Sequence, residues 1–197
     1  MVDAKDVMKL RSDTGAGVND CKKALTEAEG DIEKAKDLLR KRGMKIAEKK
    51  SGRETSSGLI GTYLHPTPET ARVGVMIQFN CETDFVARND DLQLFVKQLC
   101  QHIAATSPEY VDRTEVPEDV IAKEKEIFAE QVKDKPPAAM EKIVEGKLEK
   151  FFEQRCLVDQ PFVLDTDKKI AQIITEKIAT IGENMKIARF SRFEVGT

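Results

Sequence analysis

The chain has 197 residues, of which 40% are apolar and 34% are charged, and its formal net charge is −3 at pH 7. This length allows one medium domain, or a small domain followed by a larger one. The slightly acidic balance argues against nucleic acid as the main partner, although a local basic patch is compatible with it. No apolar run approaches the roughly 20 residues of a membrane span. The N-terminal segment MVDAKDVMKL has no hydrophobic signal core, so we expect no membrane partner and a cytoplasmic location.

The pattern of cysteines and histidines predicts no metal or redox centre. Cys21, Cys81, Cys100 and Cys156 stand singly, without a C-x-x-C pair. Because the chain has only two histidines, a zinc site has few available ligands. We therefore expect reduced thiols, no metal and no cofactor.

The first segment predicts a small bundle of three short helices. Each helix has a narrow apolar stripe, a side chain that can cap its start, and glycine near its end. The expected caps are Asp3, Asn19 or Asp20, and Asp31, and the expected stops are the TGAG segment, Gly30 and Gly43.

A basic segment follows the bundle at residues 40–54, with seven basic and two acidic side chains. It is compatible with an RNA contact, but a solvated helix and hinge is favoured because no aromatic residues interleave to stack on bases. The Gly- and Ser-rich stretch SGRETSSG indicates a linker. We therefore expect a domain over residues 1–54 and a second domain over 55–197.

Beyond residue 58 the apolar pattern changes to alternation, which is typical of strands. LIGTYLH and RVGVMIQFNC predict a β-hairpin joined by the turn-prone PTPETA. The later elements are helices over about 90–105, 117–132, 138–154 and 167–182, a loop at DQPFVLD, and a closing strand over 186–195. The predicted fold class is α+β, with a small antiparallel sheet of about three strands packed with helices.

The segment FNCETDFVARND, residues 79–90, combines a strand end with turn and cap residues. Phe85 follows Asp84 where a surface turn would normally be polar. Two interpretations stay open at this point: Phe85 packs in the core of this protein, or it is exposed for contact with another protein.

Few residues are arranged for catalysis. Glu82 and Asp84 could form an acid–base pair, but carboxylates at strand ends are common as caps. Neither His65 nor His102 has a Ser or Cys partner at a recognisable spacing. TGAGVND lacks the Lys-Ser/Thr ending of a P-loop and does not follow a strand. We predict no catalytic residue, and an enzyme is the less favoured interpretation.

Several segments resemble the bacterial elongation factor Ts family. The resemblance lies first in LRSDTGAGVNDCKKALTEAEGDIEKAKDLLRKRG and then in NCETDFVARN. Later segments in the family's order are HIAATSPEYV, IVEGKLEKFFEQRCLVDQPFV and IGENMKIARFSRFEVG. The resemblance covers nearly the whole chain, and the number and order of these long motifs make it highly specific.

The resemblance implies a guanine nucleotide exchange factor for elongation factor Tu that performs no bond chemistry. The N-terminal bundle would be the family's ubiquitin-associated-like domain, and the rest its α+β core. The chain is similar to the short family members, in which two copies build a full core. A homodimer is therefore expected, with the final strand and adjacent helices in the contact, and no direct contact with nucleic acid is implied.

The resemblance also implies partner-binding residues. Asp84 and Phe85 would form an exposed tip that enters the G domain of elongation factor Tu, and Thr83 would fix the turn.

A second patch of the G domain would be held by residues at the start of the bundle, namely Arg11, Val18, Asn19 and Lys22. The positions of Val18 and Asn19 are often methionines in the family. Asn19 has an alternative role as a helix cap. His102 matches a family position near the partner, and its alternative is a histidine on the helix surface or in a cap.

Two rival interpretations predict different behaviour. An RNA- or ribosome-associated protein that uses segment 40–53 would bind with a steep salt dependence. A small acid–base enzyme that uses Glu82 and Asp84 would show a perturbed carboxylate pKa in a closed pocket.

Overall fold

A computed structural model describes residues 2–67 and 69–196 of the chain. Its helices are α1 Ala4–Thr14, α2 Val18–Glu27, α3 Ile32–Lys50, α4 Asp84–Ala87, α5 Asp90–Thr106, α6 Glu118–Glu130, α7 Pro137–Arg155 and α8 Ile170–Ile181. Its strands are β1 Ser57–His65, β2 Val73–Cys81, β3 Pro161–Phe162, β4 Asp165–Lys169 and β5 Met185–Glu194. Within the described ranges, no helix is both long enough and apolar enough to span a membrane.

The predicted α+β class is confirmed. An antiparallel sheet has the strand order β1-β2-β5, and β3 and β4 form a separate antiparallel pair. The expectation of a loop at DQPFVLD is wrong, because this segment contains β3 and the start of β4. Phe162 is buried with its ring 6.2 Å from that of Phe95, and this packing fixes the segment as a hairpin.

The chain divides into two compact units, each built from separate stretches of sequence. The first unit contains the residues up to Leu59 together with Asn80–Leu92 and Gln172–Lys186. The second unit contains Ile60–Phe79, Gln93–Ala171 and the residues from Ile187 onward. The domain boundary near residue 54 stays a prediction.

The predicted capping of α1 and α3 is confirmed. The Asp3 carboxylate accepts from the Lys5 amide at 3.1 Å, and the Asp31 carboxylate accepts from the Lys34 amide at 3.0 Å. Gly15 ends α1 with φ +68°, a conformation that glycine adopts without steric cost. The core beneath these helices consists mainly of small apolar residues, namely Val7, Leu10, Cys21, Ala24, Leu25, Ala28 and Ala35.

The start of α2 differs from the sequence-based expectation. Gly17 is the N-cap residue, so Asn19 lies inside the first turn and does not cap the helix. The Cys21 amide donates to the Gly17 carbonyl at 2.9 Å, which closes this turn and places the Cys21 side chain in the core. Asn19 therefore has an exposed side chain that the helix start does not use.

Gly43 does not terminate α3, which continues to Lys50. The glycine is buried, and a Cβ built on it would lie 3.3 Å from the Cβ of Ala179 in α8. The missing side chain lets the two helices of the first unit approach closely. The packing gained by this close contact offsets the helix-propensity penalty of glycine, which is about 1 kcal/mol relative to alanine.

In the second unit, α5 packs directly on the strands β1 and β2. A Cβ built on Gly61 would lie 2.5 Å from Cγ1 of Val96 and 3.0 Å from Cγ2 of Ile77. The rings of Phe79 and Phe95 meet edge to face with centroids 6.0 Å apart. The strand residues that face α5 therefore form one part of the core of this unit, and a second buried cluster lies around Phe151 and Phe152.

Replacing Gly43 with leucine is expected to lower the melting temperature, because the new side chain has no space beside Ala179 and overpacking costs about 1–3 kcal/mol. Gly146→Leu is the matched control, since nothing lies within 4 Å of a Cβ built on this α7 glycine. Thermal unfolding followed by circular dichroism measures both changes. An unchanged melting temperature for Gly43→Leu would contradict the close helix contact.

Candidate functional site

Phe85 lies on the short helix α4, which directly follows the end of β2. Its side chain is 83% exposed, whereas those of the next two residues, Val86 and Ala87, are each only 8% exposed. The buried pair anchors the helix, and the aromatic ring is left in solvent. Of the two interpretations of Phe85, packing in the protein core is therefore excluded.

Thr83 fixes the start of α4. Its hydroxyl oxygen accepts a hydrogen bond from the Val86 amide at 3.4 Å, which makes it the N-cap. Asp84, in the first turn, pairs with Arg88 one turn later at 2.8 Å. This ion pair is exposed, so it adds little to stability, but it keeps both charges beside Phe85.

Glu183 holds Thr83 through two hydrogen bonds within the first unit. The Thr83 amide donates to Oε2 at 3.1 Å, and the Thr83 hydroxyl donates to Oε1 at 2.8 Å. One carboxylate therefore fixes both the backbone and the side chain of the helix cap. Hydrogen bonds to a charged acceptor are stronger than neutral ones, so this contact restrains the helix that carries Phe85.

Glu82 is fixed by the residue that follows Glu183. Its carboxylate accepts from the Asn184 amide at 2.6 Å and pairs with Arg53 at 3.4 Å. The Asn184 amide, and to a smaller extent Arg53, lower the pKa of this carboxyl below its usual range. Glu82 is therefore a charged structural acceptor, and these contacts give no support to an acid–base role with Asp84.

Asn184 links this arrangement to the end of the basic segment. Its side-chain amide donates to the carbonyls of Ser51 at 3.2 Å and Arg53 at 2.9 Å. The Lys50 ammonium donates to the Gly182 carbonyl. Since Asn184 is itself buried, these bonds join the turn after α8 to the segment that follows α3 in the first unit.

We name this arrangement the tip support, consisting of Glu82, Thr83, Glu183 and Asn184. The sequence indicates Thr83 as a cap, but it does not show that Glu183 is the partner of Thr83 or that Asn184 is the partner of Glu82. The available signal was the IGEN segment, whose Gly and Asn indicate a turn after α8. That signal marks the turn without showing which distant residue it contacts.

The remaining predicted contact residues of the first unit lie around the turn between α1 and α2. Arg11 is in the last turn of α1, and Val18, Asn19 and Lys22 are in the first part of α2. All four are exposed. The loop between the helices therefore presents apolar, amide and cationic groups on the surface of the same unit that carries Phe85.

His102 lies in the second unit and is fully buried. Its Nδ1 accepts from the Val163 amide at 3.2 Å, so Nε2 carries the proton and donates to Oε1 of Gln160 at 2.7 Å. Burial lowers the pKa of this imidazole, and the Gln160 hydrogen bond opposes that shift. The alternative of a histidine on the helix surface is therefore wrong.

The described residues offer no metal centre. None of their His, Cys, Asp and Glu side chains form a group of three or more that could hold a metal ion. All four cysteines are free and buried. Burial raises the pKa of Cys100 to about 12, which disfavours the reactive thiolate.

The chain is similar to proteins of one translation-factor family along nearly its full length. A model of the family described as Elongation factor TS matches residues 7–197. Elongation factor Ts of Thermotoga neapolitana is 55% identical over 190 residues, which cover 96% of this chain and 95% of that protein. The corresponding protein of Thermodesulfovibrio yellowstonii is 50% identical over 196 residues, covering 99% and 96%. That of Thermosipho melanesiensis is 52% identical over 198 residues, covering 100% of both chains.

Removing the Glu183 carboxylate is expected to loosen α4 without unfolding the protein. In Glu183→Ala, amide hydrogen exchange across residues 83–88 should rise about tenfold, because hydrogen bonds to a charged acceptor are lost. Glu54→Ala is the matched control, since Glu54 is an exposed glutamate of the same unit. Unchanged exchange in Glu183→Ala, measured by mass spectrometry, would show that the carboxylate does not restrain α4.

Proposed function

This chain belongs to the elongation factor Ts family, and we propose that it binds elongation factor Tu and accelerates the release of GDP from it. The observation that carries this proposal is the exposed Phe85 beside Asp84, held on a helix whose cap is fixed by Glu183. A solvent-exposed aromatic on a restrained support is suited to insertion into a partner. The family membership identifies which partner this would be.

Phe85 would act as an apolar wedge between packed elements of the G domain. Full burial of a phenylalanine side chain contributes about 1.5–3 kcal/mol, which is available to stabilise a distorted partner conformation. Because the tip support already restrains α4, little of this energy is needed to order the tip on binding. Thr83 contributes through the cap, and we do not assign it a separate contact.

Asp84 would act on the charge balance of the nucleotide site. Its carboxylate is exposed and, within the ranges that the structure describes, forms its ion pair with the exposed Arg88, so exchanging that partner costs little. A carboxylate next to the region that holds Mg²⁺ competes for hydrogen bonds and cations there. We infer that this weakens the hold on the GDP phosphates.

The mechanism is allosteric exchange without bond chemistry. A factor that binds nucleotide-free elongation factor Tu more tightly than the GDP-bound form must lower GDP affinity by the same ratio, since binding free energies are reciprocal. Incoming GTP would then displace the factor. No metal or cofactor of this chain takes part in the proposal.

A second contact would involve the turn between α1 and α2. Val18 supplies an apolar side chain, Arg11 and Lys22 supply cations, and Asn19 supplies an amide that no helix cap occupies. His102 is omitted from the proposed direct contacts because its side chain is fully buried.

We also propose that two copies associate through the sheet β1-β2-β5. Ile60 and Met76 are exposed between more buried neighbours on their strands, and Phe193 on β5 is 73% exposed. Exposed apolar residues grouped on one sheet are typical of interfaces. A second copy is the proposed occupant because the chain is similar to short family members, and a symmetric contact needs only one such surface.

At a subsaturating concentration of the factor, Phe85→Ala is expected to lower the stimulated rate of GDP release from elongation factor Tu about tenfold to hundredfold. The reason is the loss of about 1.5–3 kcal/mol of free energy from burying the phenylalanine side chain. Release of a fluorescent GDP analogue measures it. Ile127→Ala is the control, because Ile127 is an exposed apolar residue on α6, outside the proposed contacts.

The outcomes separate the function from the site. If the unaltered protein fails to accelerate GDP release, the proposed function is wrong. If it accelerates release and Phe85→Ala does so equally well, the function stands, and Phe85 is not the wedge.

The proposed dimer is tested by sedimentation velocity over a range of concentrations. The unaltered protein is expected to sediment as a dimer, and Phe193→Asp as a monomer, because the new carboxylate would be desolvated in the contact. Phe85→Asp carries the same change outside the sheet and is expected to remain dimeric. A monomer at all concentrations of the unaltered protein would refute the proposal, and a dimeric Phe193→Asp would move the contact away from this sheet.

A further inference from the structure

The continuous helix α3 aligns three lysines on one face. Lys41, Lys45 and Lys49 follow one another at four-residue steps, and all three are exposed. At 3.6 residues per turn, Lys41 and Lys45 point almost directly away from the buried Gly43. We name these three residues the lysine stripe. It exists only because α3 continues through Gly43 instead of ending there.

The other cations of this basic segment have partners within the protein. Arg40 pairs with Asp37, Arg42 pairs with Glu27, and Lys50 donates to a backbone carbonyl. The three lysines of the stripe form no ion pair with any residue in the ranges 2–67 and 69–196. The neighbouring cations therefore form contacts within the protein, whereas the lysines of the stripe are exposed to solvent.

The lysines of the stripe repel one another, and Asp37 before Lys41 and Glu48 after Lys45 offset only part of this repulsion along the helix. Lys41 and Lys45, and again Lys45 and Lys49, are like charges four residues apart, which destabilise a helix. The partial negative charge at the helix C-terminus favours Lys49, but its effect is confined to the last turn and does not reach Lys41. An external polyanion would remove this repulsion.

We propose that the lysine stripe binds the phosphate backbone of an RNA. With a rise of 1.5 Å per residue, the stripe extends over about 12 Å, so its three ammonium groups can contact several phosphates of one strand. Lysine is a mobile point charge suited to phosphate oxygens. This proposal is independent of nucleotide exchange.

The proposal departs from the sequence-based expectation that no nucleic acid binds directly. That expectation rested on the acidic net charge, on the family resemblance and on the absence of aromatic residues that could stack on bases, and α3 contains none. Contacts to phosphates need no stacking, because they position a protein on nucleic acid without reading its bases. RNA is favoured over DNA because the chain belongs to a translation-factor family.

RNA also fits better than the two other anionic partners. An acidic protein would normally bind around an aromatic or Arg anchor in a desolvated pocket, and the stripe has only exposed lysines. A membrane surface would require a continuous exposed apolar face on α3. Ala35 and Gly43 are buried inside the first unit, and the exposed Met44 and Ile46 lie on different sides of the helix, since they are two residues apart.

The test compares the full chain with the triple variant Lys41→Gln, Lys45→Gln, Lys49→Gln. Fluorescence anisotropy of a short labelled RNA duplex is recorded between about 50 and 200 mM salt, where phosphate contacts weaken strongly. The variant is expected to bind at least tenfold more weakly at about 50 mM salt. Its slope of log affinity against log salt should be smaller by about three, one for each lost phosphate contact.

A matched control removes three exposed lysines elsewhere, through Lys123→Gln, Lys125→Gln, Lys142→Gln in α6 and α7. This variant has the same net charge as the first and is expected to bind RNA like the unaltered protein. Equal losses in both triple variants would overturn the proposal, because binding would then follow net charge alone.

Further outcomes would also overturn it. One is that the unaltered protein does not bind RNA at about 50 mM salt. The others are that the stripe lysines bind polyglutamate, or anionic phosphatidylserine vesicles, more tightly than RNA. The first probe would indicate an acidic protein as the partner, and the second a membrane surface. Circular dichroism of each variant confirms that the helices are retained.

Discussion

The hydrogen bonds between Glu183 and Thr83 are the constraint on which the candidate site depends. A helix of four residues such as α4 cannot maintain its own conformation, because helix nucleation is unfavourable and short helices are marginal in water. Its orientation is fixed by a carboxylate 100 residues further along the chain. This support allows an exposed aromatic side chain to keep one position in solvent, where an unsupported loop would sample many.

The same unit connects that support to the basic segment. Lys50 ends α3 and donates to the Gly182 carbonyl, while the carbonyls of Ser51 and Arg53 accept from Asn184. The C-terminal end of α3 is thus committed to structure, whereas Lys41 and Lys45 face solvent. The residue spacing of α3 therefore gives the helix two different faces. The buried face uses glycine for close packing, and the exposed face carries the charges of Lys41 and Lys45.

In the second unit, burial changes the interpretation of His102. His102 looks functional in the sequence because it is one of only two histidines and matches a family position. In the fold, both of its ring nitrogens are hydrogen-bonded in the interior, to Gln160 and to the backbone at Val163. Its role there is to satisfy buried polar groups around the hairpin of β3 and β4, and such a role depends on residues about 60 positions away.

The sequence by itself determined the features that depend on neighbouring residues. The caps Asp3 and Asp31, the alternation in β1 and β2, and the Thr83 cap are local, because the interacting groups lie within a few positions of each other. Only the tertiary structure decided that α3 continues through Gly43, that Phe85 is exposed while Val86 is buried, and that Glu183 holds the tip. These outcomes depend on packing and hydrogen bonds between distant segments, and no local pattern specifies which segments meet.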